Sequence, residues 1–252
     1  MVAYYNEIDP YAAQWLRNLI SAGHIAPGEV DERSIVDVQP DDLKEFTQCH
    51  FFAGIGGWSL AARLSGWPDD RELWTGSCPC QPFSSQGKRA GFQDERHLWP
   101  FWRDLIAKRR PAEAFGEQVT NAPAWLEAVR SDLVKMGYAV GAIPIEAASA
   151  GGYQLRDRYW FVASSSRSYD RGSDSDQSNG QEPEFGGCIF PRHDCSKEDT
   201  IAGWVIPDAS IPALAHEVPE RLGQYRAIGN AIDPYAAAEV MGAYLDAERA
   251  AA

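Results

Sequence analysis

Cys49-His50-Phe51-Phe52-Ala53-Gly54-Ile55-Gly56-Gly57, followed at once by Trp58 to Leu64, is the stretch on which the fold of this chain turns. A buried strand runs into a glycine-rich turn, and a helical pattern opens behind it, stopped by Gly66 and Pro68. Glycines at such a turn let backbone approach a nucleotide-like ligand and open a helix N-terminus to it. The same turn also serves plain strand-to-helix packing, so alone it points to an architecture and not yet to an activity.

Outward from that turn, the same alternation repeats. Downstream, Glu72 to Gly76 reads as a strand, His97 to Lys108 as a helix with Pro100 tolerated in its first turn, and Glu113 to Gly116 as a strand. Trp125 to Met136 is a helix, and Tyr138 to Ile145 and Arg158 to Ala163 are strands. Upstream, Val2 to Tyr5 is β-prone, Pro10 opens a helix over Tyr11 to Ile20, Ser34 to Val38 reads as a short strand and Asp41 to Phe46 as a brief helix. Pro234 starts a terminal helix over Tyr235 to Ala247. Strands alternating with helices predict an α/β, Rossmann-like doubly wound sheet with ligands at the carboxyl ends of its strands.

The organisation expected is a catalytic and cofactor-binding α/β domain over 1–163, then a small recognition region over 164–224, then a segment over 225–252 returning to the first domain. Residues 164–187 shift to Ser, Asp, Gly, Gln and Asn and are expected to be flexible. Of 252 residues, 44% are hydrophobic and 23% charged, an ordinary globular balance that one core can satisfy. No apolar run approaches the length of a membrane span and no secretory leader is visible, so a cytoplasmic protein is expected. The five cysteines, an odd number, point to free thiols. Cys188, His193 and Cys195 lack a fourth zinc ligand in a matching pair, so no metal is expected. The net charge of −13 opposes tight nonspecific binding of a polyanion. A local basic cleft from Lys88, Arg89, Arg96, Lys108, Arg109 and Arg110 would offset it.

The chemistry sits in Gly76-Ser77-Cys78-Pro79-Cys80-Gln81-Pro82-Phe83-Ser84. A thiol pinned between prolines at a strand end is rigidly presented, as a nucleophile must be. Cys78, by contrast, reads as packing beneath the loop.

With these stretches in hand the chain resembles the cytosine-5 DNA methyltransferases. Phe52-Ala53-Gly54-Ile55-Gly56-Gly57 looks like their cofactor motif and Pro79-Cys80-Gln81-Pro82-Phe83-Ser84 like their nucleophile motif. Glu117-Gln118-Val119 resembles their Glu-Asn-Val, with Gln for Asn, and Gln154-Leu155-Arg156-Asp157-Arg158 their Gln-x-Arg-x-Arg. Gly229-Asn230-Ala231-Ile232 is similar to their closing Gly-Asn motif. The resemblance implies S-adenosylmethionine as methyl donor and a flipped cytosine in DNA as acceptor. Cys80 is then the nucleophile, Glu117 the group holding N3 and the exocyclic amine, and Arg158 with Arg156 the base-holding cations. Gln81, Ser84 and Gln154 would contact the flipped nucleotide. Phe52, Ala53, Gly54, Gly56, Gly57, Asn230 and Ala231 would line the cofactor site.

Two departures stand out. Asn6-Glu7-Ile8-Asp9-Pro10 resembles the family's ribose-binding motif and Gly28-Glu29-Val30 its adenine-contacting motif, yet both precede the glycine turn instead of following it. The expectation is that strand order along the chain is rearranged while order in space is kept, so that Glu7, Ile8 and Glu29 reach the cofactor; the alternative is that Glu7 merely caps a helix. Second, the recognition region is small, which predicts a short target, weak selectivity or an accessory partner. That compactness suits a stand-alone prophage or phage methylase shielding DNA from restriction. The competing readings are a tRNA cytosine-5 methyltransferase and a catalytically silent nucleic-acid-binding homologue.

Overall fold

The computed structural model of the protein describes residues 3–79, 97–150, 157–165 and 231–251. Its strands are β1 (Ala3–Asn6), β2 (Gly28–Asp31), β3 (Gln48–Phe51), β4 (Leu73–Gly76), β5 (Glu113–Val119), β6 (Ala139–Glu146) and β7 (Asp157–Ser164). Five α-helices are described: α1 (Pro10–Ser21), α2 (Gly57–Leu64), α3 (Trp99–Arg109), α4 (Pro123–Lys135) and α5 (Pro234–Ala251). The strands make one sheet in the order β2-β1-β3-β4-β5-β7-β6. All neighbours from β2 to β5 are parallel, and β7 is antiparallel to both β5 and β6.

The rearrangement expected from the motif order is visible in this topology. Numbering the strands from β3 and taking β1 and β2 next turns the first five into 3-2-1-4-5, the spatial order of a doubly wound Rossmann-like sheet. The strand after the glycine turn's own strand in space is thus the one that comes first in the chain.

That change of order alters the path of one connection. Tyr5 of β1 packs with Leu16 of α1 and Leu60 of α2, and its hydroxyl lies 2.9 Å from Ser59 Oγ of α2. Trp58 and Ala61 of α2 share a cluster with Met241 and Tyr244 of α5. Helices α1, α2 and α5 therefore cover one face, while α3 and α4 cover the other with Phe51, Trp74 and Phe161. Helix α1 carries the chain from β1 outward to β2, whereas α2, on the same face, carries it from β3 the opposite way to β4. The two crossovers are of opposite hand. Helix α3 moves in the direction of α2 but on the other face, so it shares the hand of α1. The β3-α2-β4 connection is the odd one, in a class of connection that is right-handed in about 98% of cases.

Two local readings are corrected. Ser34–Val38 is not a strand: Ile35–Asp37 is a 3-10 turn capped by Ser34, whose side chain accepts from the Val36 N–H. Ile35 and Val38, three apart, are the residues it buries, as a turn and not a pleat would do. The strand lies earlier, at Gly28–Asp31, where a Cβ on Gly28 would fall 2.2 Å from the Ala3 carbonyl oxygen. The brief helix placed at Asp41–Phe46 is a second 3-10 turn, Pro40–Leu43. The aromatic supply is largely structural, with Trp58, Trp67, Trp74, Trp99, Trp102, Trp125 and Trp160 all buried. Among the described residues, no helix is long and apolar enough to cross a membrane.

Candidate active site

A cleft opens at the carboxyl ends of β1, β3, β4 and β5, where a doubly wound sheet places its ligands. Its floor is the glycine turn. Gly54 has φ +54° and Gly56 φ +85°, both left-handed, and Phe52, with φ +52°, adopts the same region without a glycine's freedom. Such a residue costs about 1–3 kcal/mol and persists only where its surroundings hold it. A Cβ on Gly54 would meet nothing within 4 Å, so that turn faces open space, whereas one on Gly57 would come 2.6 Å from Ile232 Cγ1. Ala231 and Ile232 thereby close the cleft against the start of α2.

Glu7, just beyond β1, reaches this floor. Its Oε2 accepts from the Gly54 N–H at 2.7 Å and its Oε1 from the Asp9 N–H at 2.9 Å. Burial pushes the carboxyl above its ordinary value, and those two N–H groups pull partly against that rise. Glu7 is no helix cap; Asp9 is, accepting from the Tyr11 and Ala12 N–H groups at the start of α1. Ile8 lines the cleft while remaining 64% exposed.

Glu29 does not join them. It is exposed, two residues short of the carboxyl end of β2, and does not line the cleft. The acid at that strand end is Asp31, and the wall beside it is Arg33, Ser34 and Ile35. Reading Gly28-Glu29-Val30 as the motif stopped two residues early, because the glycine masked where the strand begins.

The opposite wall comes from the antiparallel pair β5–β7. Glu117 pairs across the sheet with Trp160, which sets Arg158 on the diagonal of the same face. Arg158 Nε lies 2.5 Å from Glu117 Oε1 in a mostly buried ion pair. Gln118, buried beside them, accepts from the Val119 N–H with Oε1 at 3.0 Å and donates through Nε2 to the Cys78 carbonyl at 3.5 Å. Ser77 Oγ accepts from the Trp58 indole at 3.0 Å, tying the end of β4 to the helix behind the glycine turn. Gln118 and Trp58 were not singled out from sequence; the Gln in place of the family's Asn was the only hint. Burial pushes the Cys78 thiol well up, with the Glu117 charge adding to the rise, so Cys78 stays protonated near neutral pH.

Pro79 lines the cleft, and Cys80 follows it directly in the chain. Cys80, Gln81, Ser84, Gln154, Arg156 and Asn230 lie outside the described residues, as do the Cys188, His193, Cys195 trio and the recognition region from 166 onward. Of the expected basic cleft, Lys88, Arg89 and Arg96 also lie outside the described residues, and the part at Lys108, Arg109 and Arg110 is corrected. Leu98, at the start of α3, lines the site, but Lys108, Arg109 and Arg110 are at its far end, about 16 Å along the helix axis. They sit beside the amino ends of the strands. Arg110 there stacks over Tyr138 and donates to the Met136 carbonyl.

Comparison with known proteins agrees with this geometry. Residues 66–186 match the family model described as C-5 cytosine-specific DNA methylase. The chain is 35% identical over 92 residues to the Type II methyltransferase M.AplI of Arthrospira platensis, covering 35% of this chain and 27% of that protein. It is 33% identical over 100 residues to the Type II methyltransferase M.NgoMIV of Neisseria gonorrhoeae, covering 38% and 32%. The matches thus span about a third or less of those relatives' length. Among solved structures, the Entamoeba histolytica methyltransferase EhMeth aligns with TM-score 0.47 at 16% identity, over 65% of this chain and 45% of that one.

Proposed function

We propose that the chain, whose residues 66–186 match the C-5 cytosine-specific DNA methylase model, is a cytosine-5 methyltransferase that transfers a methyl group from S-adenosylmethionine to C5 of cytosine in DNA. The observation that carries the reading is the meeting of two halves in one cleft. The Glu117–Arg158 pair stands on one wall, and the glycine turn held by Glu7 forms the floor.

The residues present fit an adenosyl group. Gly54 opens onto free space, Ile8 and Ile35 offer apolar contact, and Glu7 is a partly buried carboxylate able to accept from ribose hydroxyls alongside its backbone N–H groups. Bound there, S-adenosylmethionine supplies an electrophilic methyl on a sulfonium. Cytosine C5 is too weak a nucleophile to take it unaided. In this reading the Cys80 thiolate adds to C6, and the electron pair released makes C5 nucleophilic. Glu117 hydrogen-bonds N3 and the exocyclic amine, stabilising the charge that builds on the ring. Arg158 orients Glu117 and the base, and Arg156 is its neighbour. C5 takes the methyl group, leaving S-adenosylhomocysteine, and loss of the C5 proton to a base restores the C5–C6 double bond and expels the Cys80 thiolate. The base must leave the duplex stack to enter such a cleft. Arg33–Ile35, and not Glu29, forms the adenosine-side wall, while Asn230, Gln81, Ser84 and Gln154 complete the site from their motifs. The small recognition region implies a short target or an accessory partner, and the setting is a cytoplasm where restriction must be evaded.

The test is transfer of isotopically labelled methyl from S-adenosylmethionine to DNA and tRNA in parallel, using wild type, Cys80→Ala and Cys78→Ala. Label in DNA that disappears with Cys80→Ala but survives Cys78→Ala is the expected result. Label in tRNA alone would move the substrate class. Absence of label in both, with cofactor bound, would leave a silent homologue.

A further inference from the structure

The rearranged strand order creates a connection with an unusual task. Residues 32–47 leave the edge strand β2, pass β1 and enter β3, with two short 3-10 turns as their regular structure. On the way, Arg33, Ser34 and Ile35 form one wall of the cleft. A connection of that kind holds a wall in place only if something fixes it at both ends.

Arg33 does so. Its Nε donates to both carboxylate oxygens of Asp31 at 3.1 and 2.9 Å, and its terminal nitrogen reaches Asp31 at 2.7 Å and Asp42 at 2.9 Å. Its own carbonyl accepts from the Asn6 side chain at 2.8 Å. Both acids are held in turn: the Tyr4 hydroxyl donates to Asp31 at 2.7 Å and the Gln39 N–H to Asp42 at 3.0 Å. A planar fork satisfied on two sides orders a segment more firmly than a flexible ammonium can. The Arg33 side chain is 49% exposed, so these ion pairs contribute little to global stability. One guanidinium held by two carboxylates leaves the cluster with a net negative charge, so a cationic ligand meets no net positive wall.

We infer that Arg33, clamped between Asp31 and Asp42, is the positioning residue that sets cofactor affinity. It fixes the Arg33–Ile35 wall, and the two acids that hold it keep that wall from repelling a sulfonium. The inference rests on the reading of this cleft as an S-adenosylmethionine site.

Calorimetric titration of the full chain with S-adenosylmethionine and with S-adenosylhomocysteine, which lacks the positive charge, tests it. Arg33→Ala is expected to weaken both about tenfold, with Arg33→Lys restoring part of the loss. KM for the donor should rise while kcat at saturating donor stays within about twofold, the pattern of lost uniform binding. Asp42→Asn removes one of the two carboxylates, taking the cluster from net negative to neutral, and is expected to weaken the cationic ligand about threefold more than the neutral one, a gap that closes in high salt. Wild type binding neither ligand would remove the reading of the cleft itself. Wild type binding both, with Arg33→Ala unchanged, would overturn the clamp alone. Equal losses for the two ligands in Asp42→Asn would overturn its electrostatic part. A fall in unliganded Tm that tracks the affinity loss, unrescued by Arg33→Lys, would reduce Arg33 to a merely structural residue.

Discussion

The two walls of the cleft are held by different physics. On the cofactor side, Glu7 is fastened by main-chain N–H groups of Gly54 and Asp9, donors that no side-chain substitution deletes. On the opposite side, Glu117 is fastened to the Arg158 side chain across an antiparallel pair of strands. The first arrangement joins segments 47 residues apart whose order in the chain has been exchanged. The second depends on the register of β5 with β7. The Glu7 contact therefore rests on backbone geometry and tolerates the exchanged chain order, whereas the opposite wall depends on two named side chains.

The largest expected effect tests the chemical wall. Glu117→Gln should lower kcat about 10²–10³-fold, the range for removing one group aimed at developing charge, with S-adenosylmethionine affinity unchanged. Loss of cofactor binding in that variant would break the division between the walls. Next, Glu7→Ala should raise the dissociation constant for S-adenosylmethionine about ten- to fiftyfold, the worth of a charge-assisted hydrogen-bond pair, with a smaller change in saturated kcat. Because burial raises the Glu7 pKa, its acceptor form is lost as pH falls, beginning above the ordinary glutamate value. Cofactor affinity should thus weaken on acidification in wild type and not in Glu7→Gln. A flat wild-type profile would detach Glu7 from the ligand.

A third substitution sharpens the picture of what links the walls. Gln118→Leu strands the Cys78 carbonyl and the Val119 N–H and should cost about 1–3 kcal/mol in urea unfolding. It should lower kcat more than it raises the donor KM. The last effect, absent near neutral pH, concerns β3, the strand that leads into the floor. Burial holds His50 neutral and depresses its pKa from 6.5 to about 3, with Nδ1 2.8 Å from Thr75 Oγ1. The unfolded chain takes up a proton there first, so stability is lost as pH falls from about 6.5 towards 3, by at most about 1.4 kcal/mol per pH unit. His50→Gln should flatten that part of the Tm profile.

Much of this was legible in one dimension. The glycine turn, the helices opened by Pro10 and Pro234, and the strands at 113–116 and 158–163 rest on local chemistry, which neighbouring residues dictate. So does the packing of Cys78, which is buried beneath the end of β4. The failures have a common cause. Gly28–Asp31 did not read as a strand because its glycine is required by the Ala3 carbonyl, a contact made only across the sheet. Glu29 was taken for the ligand acid for the same reason. Lys108, Arg109 and Arg110 looked like a substrate-facing cluster because nothing in their sequence says which end of α3 meets the cleft.

Contiguous residues alone write a strand–glycine turn–helix unit, a Pro-flanked cysteine, a Glu-Gln-Val segment and an Arg-Asp-Arg segment into one chain. Only the tertiary structure decided that the first strand lies beside the third, that α2 crosses with the unusual hand, and that Arg33 stands clamped in the cleft wall. Those facts depend on pairings between distant segments, whose energies come from burial and cross-strand hydrogen bonds that no local window contains.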